Sequence, residues 1–180
     1  MLVSYSLVPG DDVITLRSWR ADDAQTLVEA IDGDPEIARW LDLVPQPYSL
    51  ADARAYIAGE TGRNEDAFAI TDAVTGRVLG SIGVRIACEG VFDIGYWLRA
   101  DARGRGLTTR ALVLISRWAF DERGAARVQL RADPENAASC RVAENAGFTF
   151  EGVLRSVHWN ARLGRRQDHA MYSLLPGEPA

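Results

Sequence analysis

The first part of the chain predicts one strand followed by three short helices. Residues 13–19 alternate between apolar and polar side chains, which is typical of a half-buried strand. In residues 20–31, apolar side chains recur at helical spacing behind two aspartates, which are favourable in the first turn of a helix. A second helix is predicted over 34–41, where Asp-Pro can open it, and a third over 49–59, where serine is a good N-cap.

The rest of the chain predicts a strand meander and then alternating strands and helices. Gly95 interrupts one strand, which indicates a β-bulge or a close backbone approach. Helices first, then a meander, then strand–helix–strand–helix–strand predict an α/β (α+β) fold. The predicted elements are strands over 67–71, 77–87 and 91–98, a helix over 108–122, a strand over 127–132, a helix over 135–146, and a strand pair over 148–157 and 169–175.

Composition narrows the class of protein. A length of 180 residues with 47% apolar content suits one packed domain over 1–180, or at most a domain with a small addition, and argues against a disordered chain. The net charge of -5 argues against direct nucleic-acid binding, and neither a membrane-length apolar run nor a signal-peptide pattern is present. Cys88 and Cys140 lack metal-ligand spacing and cannot form a disulfide framework, so we expect no metal site and a cytoplasmic location.

The charge is unevenly distributed along the chain. Residues 1–72 carry 14 acidic residues and 5 arginines, whereas residues 73–180 carry 11 acidic residues and 15 arginines. All 20 basic residues are arginine, whose planar fork matches phosphate oxygens better than lysine does. This asymmetry indicates either two partners of opposite charge or two solvated faces.

The segment between the strand at 91–98 and the following helix carries the clearest chemistry. Gly104 and Gly106 allow a tight turn, and the free backbone N–H groups of the helix that follows form an anion site. The segment lacks both the lysine of a P-loop and the third glycine of a dinucleotide fingerprint. It therefore predicts a phosphate or pyrophosphate site, with an arginine-rich surface turn as the alternative. The arginines around it are Arg99, Arg103, Arg105, Arg110, Arg117 and Arg141.

Two motifs resemble those of the GNAT acetyltransferase superfamily. The run from Arg103 to Thr108 resembles its pyrophosphate signature [RQ]-x-x-G-x-[GA], except that Thr108 stands where glycine or alanine is usual. Asn136 and Ser139 begin a second run, N-x-x-S followed by ENAGFTFEG, that is similar to the other half of the pattern. The match is greatest to the branch with the ribosomal-protein N-terminal acetyltransferases and extends over nearly the whole chain through LRSW, PYSLADARAYI, GRVLGSIGV, DIGYWL and RQDHAMYSLL.

The resemblance implies a mixed, mostly antiparallel sheet flanked by helices, with splayed central strands that hold acetyl-CoA as cosubstrate. Backbone N–H groups of the glycine-rich loop would bind its pyrophosphate, and a bulge at Gly95 would help to direct the strand toward the pantetheine arm. The backbone N–H of Thr108 remains available. The implied cofactor-binding residues are Trp97, Leu98, Arg99, Arg103, Gly104, Arg105, Gly106, Leu107, Thr108, Asn136 and Ser139.

The resemblance also implies catalytic roles, with the base left open. Ser139 would stabilise the departing thiolate by a hydrogen bond, unless it only bonds within its own helix. Asp93 and Glu151 are candidate bases, His158 has a suitable ordinary pKa, and a chain of water molecules could serve instead. Each of these side chains could alternatively be structural, and structural pairing is the first interpretation of Asp168.

In this branch the early helices and the final hairpin wall the acceptor site, so Trp40, Tyr48 and Trp159 are candidate substrate contacts, with core packing as the alternative. The predicted function is transfer of acetyl from acetyl-CoA to an amine, with a protein or peptide N-terminus as the first choice. The alternatives are a small-molecule amine acetyltransferase, for a polyamine, amino acid or antibiotic, and a non-catalytic acyl-CoA-binding module. A homodimer is possible by the resemblance.

Overall fold

The computed structural model describes residues 10–61 and 66–179. Within these residues the predicted strands and helices all form, and the final strand pair is longer than expected because a tight turn at 161–164 joins it. The strands are β1 (Ile14–Ser18), β2 (Asp66–Asp72), β3 (Val78–Cys88), β4 (Val91–Leu98), β5 (Arg127–Ala132), β6 (Thr149–Asn160) and β7 (Arg165–Leu174). The helices are α1 (Ala24–Ile31), α2 (Pro35–Trp40), α3 (Leu50–Ile57), α4 (Leu107–Asp121) and α5 (Ala137–Asn145).

Side-chain caps fix where three of these helices begin. Asp34 and Ser49 accept hydrogen bonds from backbone N–H groups in the first turns of α2 and α3, as the sequence predicts. Asn136 does the same for α5, so its amide oxygen is already bonded to a backbone N–H. A cap of this kind typically contributes about 1 kcal/mol to stability.

The strands form one mixed sheet in the order β1-β2-β3-β4-β5-β7-β6, in which only the β4–β5 pair is parallel among the described strands. Helices cover both faces. On β3, Ile82 packs in the core cluster that contains α4, whereas the neighbouring Ser81 hydrogen-bonds Tyr56 of α3. Successive side chains of a strand point to opposite faces, so α4 and α3 lie on opposite sides of the sheet. The expected α/β fold with a mixed, mostly antiparallel sheet is confirmed.

The two central strands separate halfway along their length. β4 and β5 pair at Val91, Phe92 and Asp93 and no further, although β4 continues to Leu98. The expected bulge at Gly95 is wrong: Gly95 pairs in register with β3, and the irregularity in that strand pair lies elsewhere. The two strands therefore separate after Asp93, where their parallel pairing ends, and no residue is inserted in β4 at Gly95.

Gly80 allows the close approach of β3 and β4 beside this gap. A Cβ atom at Gly80 would lie 2.9 Å from Leu98 Cα and closer still to the carbonyl oxygen of Trp97. We expect Gly80→Ala to lower the free energy of unfolding by about 1–3 kcal/mol, as overpacking does, which thermal unfolding would measure. Gly95→Ala is the matched control on β4, since a Cβ there meets no described atom within 4 Å. An unchanged midpoint for Gly80→Ala would contradict this account of the strand contact.

Candidate active site

A cavity of about 600 Å³ opens where β4 and β5 diverge. It is bounded by the end of β4, the loop before α4, the start of α5, the end of α2 and the β6–β7 hairpin. The sequence-predicted residues that line it are Trp40, Trp97, Leu98, Arg103, Gly104, Gly106, Thr108, Asn136, Ser139 and His158. The sheet therefore brings most of the expected cofactor residues to one place.

The loop before α4 forms an open anion cradle. Gly104 and Gly106 have φ angles of 74° and 71°, in the left-handed region that favours glycine. Gly106 is the N-cap of α4 and has no side chain to occupy the first N–H groups of the helix. A Cβ on either glycine would meet no described atom within 4 Å, so the space beside both glycines is open. The expected phosphate-binding geometry is present in the backbone.

Two arginine side chains near this loop form ion pairs with carboxylates of the protein. Arg103 bonds Asp34 at 2.5 Å and also donates to the carbonyl oxygen of Leu98 at 2.9 and 3.1 Å. Arg99 lies 3.5 Å from Asp101. Arg103 and Arg99 therefore pair with carboxylates of the protein, and a contact of either side chain with a phosphate stays a prediction.

The other four arginines and Leu107 differ in whether they line the cavity. Arg110 bonds Asp11 at 2.7 Å, and Arg117 lines a different cavity at the far end of α4. Arg105 is exposed and does not line the central cavity, and the side chain of Leu107 is buried in the core, which leaves Leu107 only a backbone contribution. Arg141 on α5 does line the cavity, so its side chain is a better candidate for a phosphate contact than those of Arg105, Arg110 and Arg117.

The end of β4 presents backbone groups to the gap. Arg99 donates its backbone N–H to Leu79 on β3 at 2.9 Å. Backbone groups of an antiparallel pair alternate in direction, so the N–H groups of Leu98 and Tyr96 point away from β3 toward the gap. The carbonyl oxygen of Leu98 is already bonded to Arg103. Free N–H groups in this position can bind an extended ligand in the manner of an added strand.

Ser139 meets a tyrosine that the sequence analysis missed. The hydroxyls of Ser139 and Tyr96 are 2.9 Å apart, and both residues line the cavity. Burial raises the pKa of Tyr96 to about 12, so its hydroxyl stays protonated near neutral pH and can donate to Ser139. The feature of the sequence that could have indicated this contact is the spacing of Tyr96 and Leu98 on β4. Residues two positions apart on a strand share a face, and this face is the one that α5 approaches.

Asp93 does not line the cavity. Its carboxylate accepts hydrogen bonds from Gln129 at 2.6 Å and Arg131 at 3.1 Å, and it also pairs with Arg85. These three donors occupy both oxygens of the Asp93 carboxylate on the sheet. The assignment of Asp93 as the base therefore does not fit this geometry, because neighbouring strands occupy its oxygens.

Glu151 lies outside the cavity as well, so its assignment as the base does not fit either. Arg127 binds it through two contacts of 2.5 and 2.7 Å, and the Ser173 hydroxyl donates to it at 2.7 Å. These hydrogen bonds, that of Arg127 first, lower the pKa of Glu151 to about 2. Such a carboxylate is ionised at neutral pH and is a structural partner on the sheet.

We expect Glu151→Gln to leave kcat unchanged and to alter stability in a pH-dependent way. A carboxyl group with a lowered folded-state pKa stabilises the fold above its ordinary pKa, and this contribution disappears as the pH falls toward 2. The side chain is 39% exposed, so solvent screening limits the effect to about 1 kcal/mol. Urea unfolding at pH 7 and below pH 4 should show a difference from wild type that shrinks on acidification. A large fall in kcat would restore Glu151 as the base.

The three aromatic candidates for acceptor binding separate into three environments. Trp40 lines the cavity and donates its indole N–H to Glu36 at 2.9 Å. Tyr48 is 6% exposed and packs with α1 and α3, so it belongs to the core. Trp159 is 55% exposed and lies outside the cavity, because it alternates along β6 with His158, whose side chain faces inward. Tyr48 therefore packs in the core, which was the alternative for it, whereas a substrate contact of Trp159 stays a prediction.

The acceptor side of the cavity carries a polar cluster. His158 Nε2 is 3.1 Å from a carboxylate oxygen of Asp42, which follows α2, and the His158 ring stacks on His169 with centroids 5.0 Å apart. Asp133 accepts from Gln167 at 2.6 Å at the same wall. Asp42 and His169 were not singled out by the sequence, because residues so distant in the chain meet only through the β6–β7 hairpin.

Other features of the chain have plainer roles. Asp168 accepts a hydrogen bond from the backbone N–H of Ser156 at 2.7 Å, the structural pairing expected of it.

In the described ranges, three or more His, Cys, Asp or Glu side chains are nowhere grouped to hold a metal ion. None of the helices in those ranges combines the length and apolar character needed to cross a bilayer.

The sequence matches the family model described as an acetyltransferase (GNAT) domain over residues 14–149. It is 28% identical over 177 residues to the uncharacterized N-acetyltransferase p20 of Bacillus licheniformis, covering 93% of this chain and 95% of that protein. It is 29% identical over 175 residues to a Bacillus subtilis protein provisionally named ribosomal N-acetyltransferase YdaF, covering 92% of each. The fold matches that of a GNAT-family acetyltransferase from Bacillus anthracis with a TM-score of 0.84, at 18% identity and covering 94% and 98% of the two chains. The chain therefore belongs to the GNAT family of acetyltransferases, whose acetyl donor is acetyl-CoA.

Proposed function

We propose that residues 1–180 act as a single N-acetyltransferase domain that acetylates the N-terminal amine of a protein or peptide. The observation that carries the choice of acceptor is the similarity to YdaF, which extends over 92% of both chains. The acceptor side of the cavity supports an amine, because Glu36, Asp42 and Asp133 place carboxylates along its wall. Carboxylates attract the ammonium form of the substrate and raise its local concentration.

The residues of the cavity offer groups that could hold acetyl-CoA from its pyrophosphate to its thioester. Backbone N–H groups from Gly104 through Thr108 would hold the pyrophosphate at the start of α4, and the amide nitrogen of Asn136 is free of its capping bond and can contact the pantetheine arm. The Leu98 N–H would donate to the developing oxyanion. Ser139, supported by Tyr96, would hydrogen-bond the departing sulfur.

A panel of acceptors tests this proposal. Peptides with free N-termini are compared with the same peptides after N-terminal blocking, and with polyamines, amino acids and amine antibiotics, by thiol release and mass spectrometry. We expect transfer to free N-termini and none to blocked peptides that retain a lysine side chain. Transfer to small amines alone would favour the alternative acceptor class. Thermal stabilisation by CoA without transfer to any acceptor would identify a non-catalytic acyl-CoA-binding module.

We infer a cytoplasmic location from the cysteines. Cys88 is exposed and Cys140 is half-buried, and both are free thiols. Such thiols persist in a reducing compartment, whereas exported proteins of this size commonly pair theirs. Fractionation of the host cell, with the protein detected by antibody, would test this location.

A further inference from the structure

The contact between His158 and Asp42 joins residues that are 116 positions apart in the chain. His158 comes from β6 and Asp42 from the segment after α2, and both line the acceptor side of the cavity. The Asp42 side chain is 8% exposed and that of His158 is 28% exposed. A carboxylate buried to this extent requires a hydrogen-bond donor, and the imidazole Nε2–H supplies one at 3.1 Å.

The position of Asp42 is fixed from outside the pair. Arg162, in the turn of the β6–β7 hairpin, donates to the carbonyl oxygens of Ala38, Asp42 and Val44, the last at 2.8 Å. The hairpin that carries His158 therefore also holds the segment that carries Asp42. This arrangement keeps the imidazole and the carboxylate together without a ligand.

The bond to Asp42 determines which ring nitrogen of His158 can accept a proton. A neutral imidazole carries one N–H, and that N–H lies on Nε2 when it donates to a carboxylate. Nδ1 then keeps its lone pair, and none of the described residues donates a hydrogen bond to it. We propose that His158, oriented by Asp42, is the general base that removes a proton from the amine acceptor, an inference that rests on the proposed N-acetyltransferase function.

The other groups around the ring are compatible with this role. His169 of β7 stacks on it at an interplanar angle of 21°, and burial followed by the charge of His158 lowers the pKa of His169, so this second ring stays neutral near pH 7. The charged groups that line this cavity are Glu36, Arg39, Asp42, Arg103, Arg131, Asp133 and Arg141, and Arg162 lies behind Asp42.

Of the three side chains that the sequence left open as bases, only His158 lines the cavity. Asp93 and Glu151 are bonded to arginines on the sheet. His158 is also partly exposed, so a proton taken from the substrate can pass to solvent.

The proposed step is balanced in protons and bonds. The substrate ammonium gives one proton to His158 Nδ1, and the freed lone pair attacks the acetyl carbonyl carbon. A C–N bond forms and the C–S bond breaks, with the electron pair leaving on sulfur near Ser139. The second proton lost by the nitrogen ends on that sulfur, so CoA leaves as a thiol.

The decisive variant is His158→Gln, which can keep a donor toward Asp42 but has no basic nitrogen. At pH 7 we expect kcat/KM for the amine to fall about 100-fold, in the range of general-base catalysis, with the Kd of acetyl-CoA unchanged. The difference in kcat/KM between the variant and the wild type should shrink above about pH 8, where an α-amino group loses its proton without a base. Asp42→Asn should show the same pH pattern with a smaller loss. The rates are measured on whichever amine gives turnover.

Asp168→Asn is the control for distortion of the hairpin, because Asp168 bonds Ser156 outside the cavity. It should retain the acidic limb of the wild-type pH profile. A His158→Gln enzyme with the wild-type rate and profile would overturn the base assignment. A wild-type enzyme that binds acetyl-CoA but acetylates no amine would instead overturn the proposed function, and the base with it.

A measurement without turnover gives a second criterion. The chain has two histidines, so ¹⁵N spectra can be assigned by comparison with His158→Gln. We expect neutral His158 to be protonated on Nε2, and Asp42→Asn to weaken this preference because the carboxylate that accepts from Nε2 is removed. A proton on Nδ1, or the same tautomer populations with and without the Asp42 carboxylate, would overturn the assignment.

Discussion

Replacing Gly106 with valine should raise the dissociation constant of CoA about 100-fold. Gly106 has a φ of 71° and caps α4, and the space next to it is open toward the first N–H groups of the helix. A branched side chain would enter this space and also disfavour the left-handed backbone that aims the N–H groups. Hydrogen bonds to a charged group contribute about 1.5–3 kcal/mol each, so losing one or two accounts for the expected effect.

Calorimetric titration with CoA is the measurement, and Gly59→Val is the matched control. Gly59 has a φ of 74° and equally open surroundings, but it follows α3 and does not line the cavity. Both variants carry the same kind of backbone strain, so both should lose similar thermal stability. If the two bind CoA equally well, the loop before α4 is not the pyrophosphate site.

The second large effect is expected for Ser139→Ala, which should lower kcat by about 10- to 100-fold without changing the Kd of acetyl-CoA. The hydroxyl would bond the sulfur only when charge develops on it, so its loss falls on the transition state more than on binding. Steady-state thiol release gives kcat, and calorimetry gives the Kd. Unchanged turnover would leave Ser139 with a purely local role in α5.

The contact between Ser139 and Tyr96 predicts how a second variant combines with the first. Tyr96→Phe removes the hydroxyl 2.9 Å from that of Ser139 and should lower kcat less than Ser139→Ala does. Residues that act through one hydrogen bond are not additive. The double variant should therefore be little worse than Ser139→Ala alone, whereas multiplied losses would mean that the two hydroxyls act independently.

Local patterns were sufficient for the elements and for the backbone of the anion cradle. Capping by Asp34 and Ser49 depends on residues within three positions, and the positive φ of Gly106 is a property of glycine beside a helix start. Such features follow from short stretches of sequence because their physical causes are local. The resemblance then supplied what the patterns could not, namely the identity of the anion.

Partners distant in the chain limited the prediction of individual roles. Arg103 has the appearance of a phosphate ligand until its bond to Asp34, 69 positions away, is known. Asp93 and Glu151 have the right chemical type for a base, but pairing across strands commits both to arginines. Tyr48 was assigned to the substrate site for a related reason, since aromatic content does not reveal whether a side chain faces a core, a cavity or solvent.

The bond between Arg103 and Asp34 has a kinetic consequence. Asp34 caps α2, whose last residues border the acceptor side of the cavity. Its partner Arg103 donates a hydrogen bond to the carbonyl oxygen of Leu98 on the side expected to bind acetyl-CoA. If the loop shifts when the donor binds, the ion pair between Arg103 and Asp34 would transmit that shift to α2. We expect the two substrates to bind in order, the donor first, and a break of this pair by Asp34→Asn to make the order of addition random.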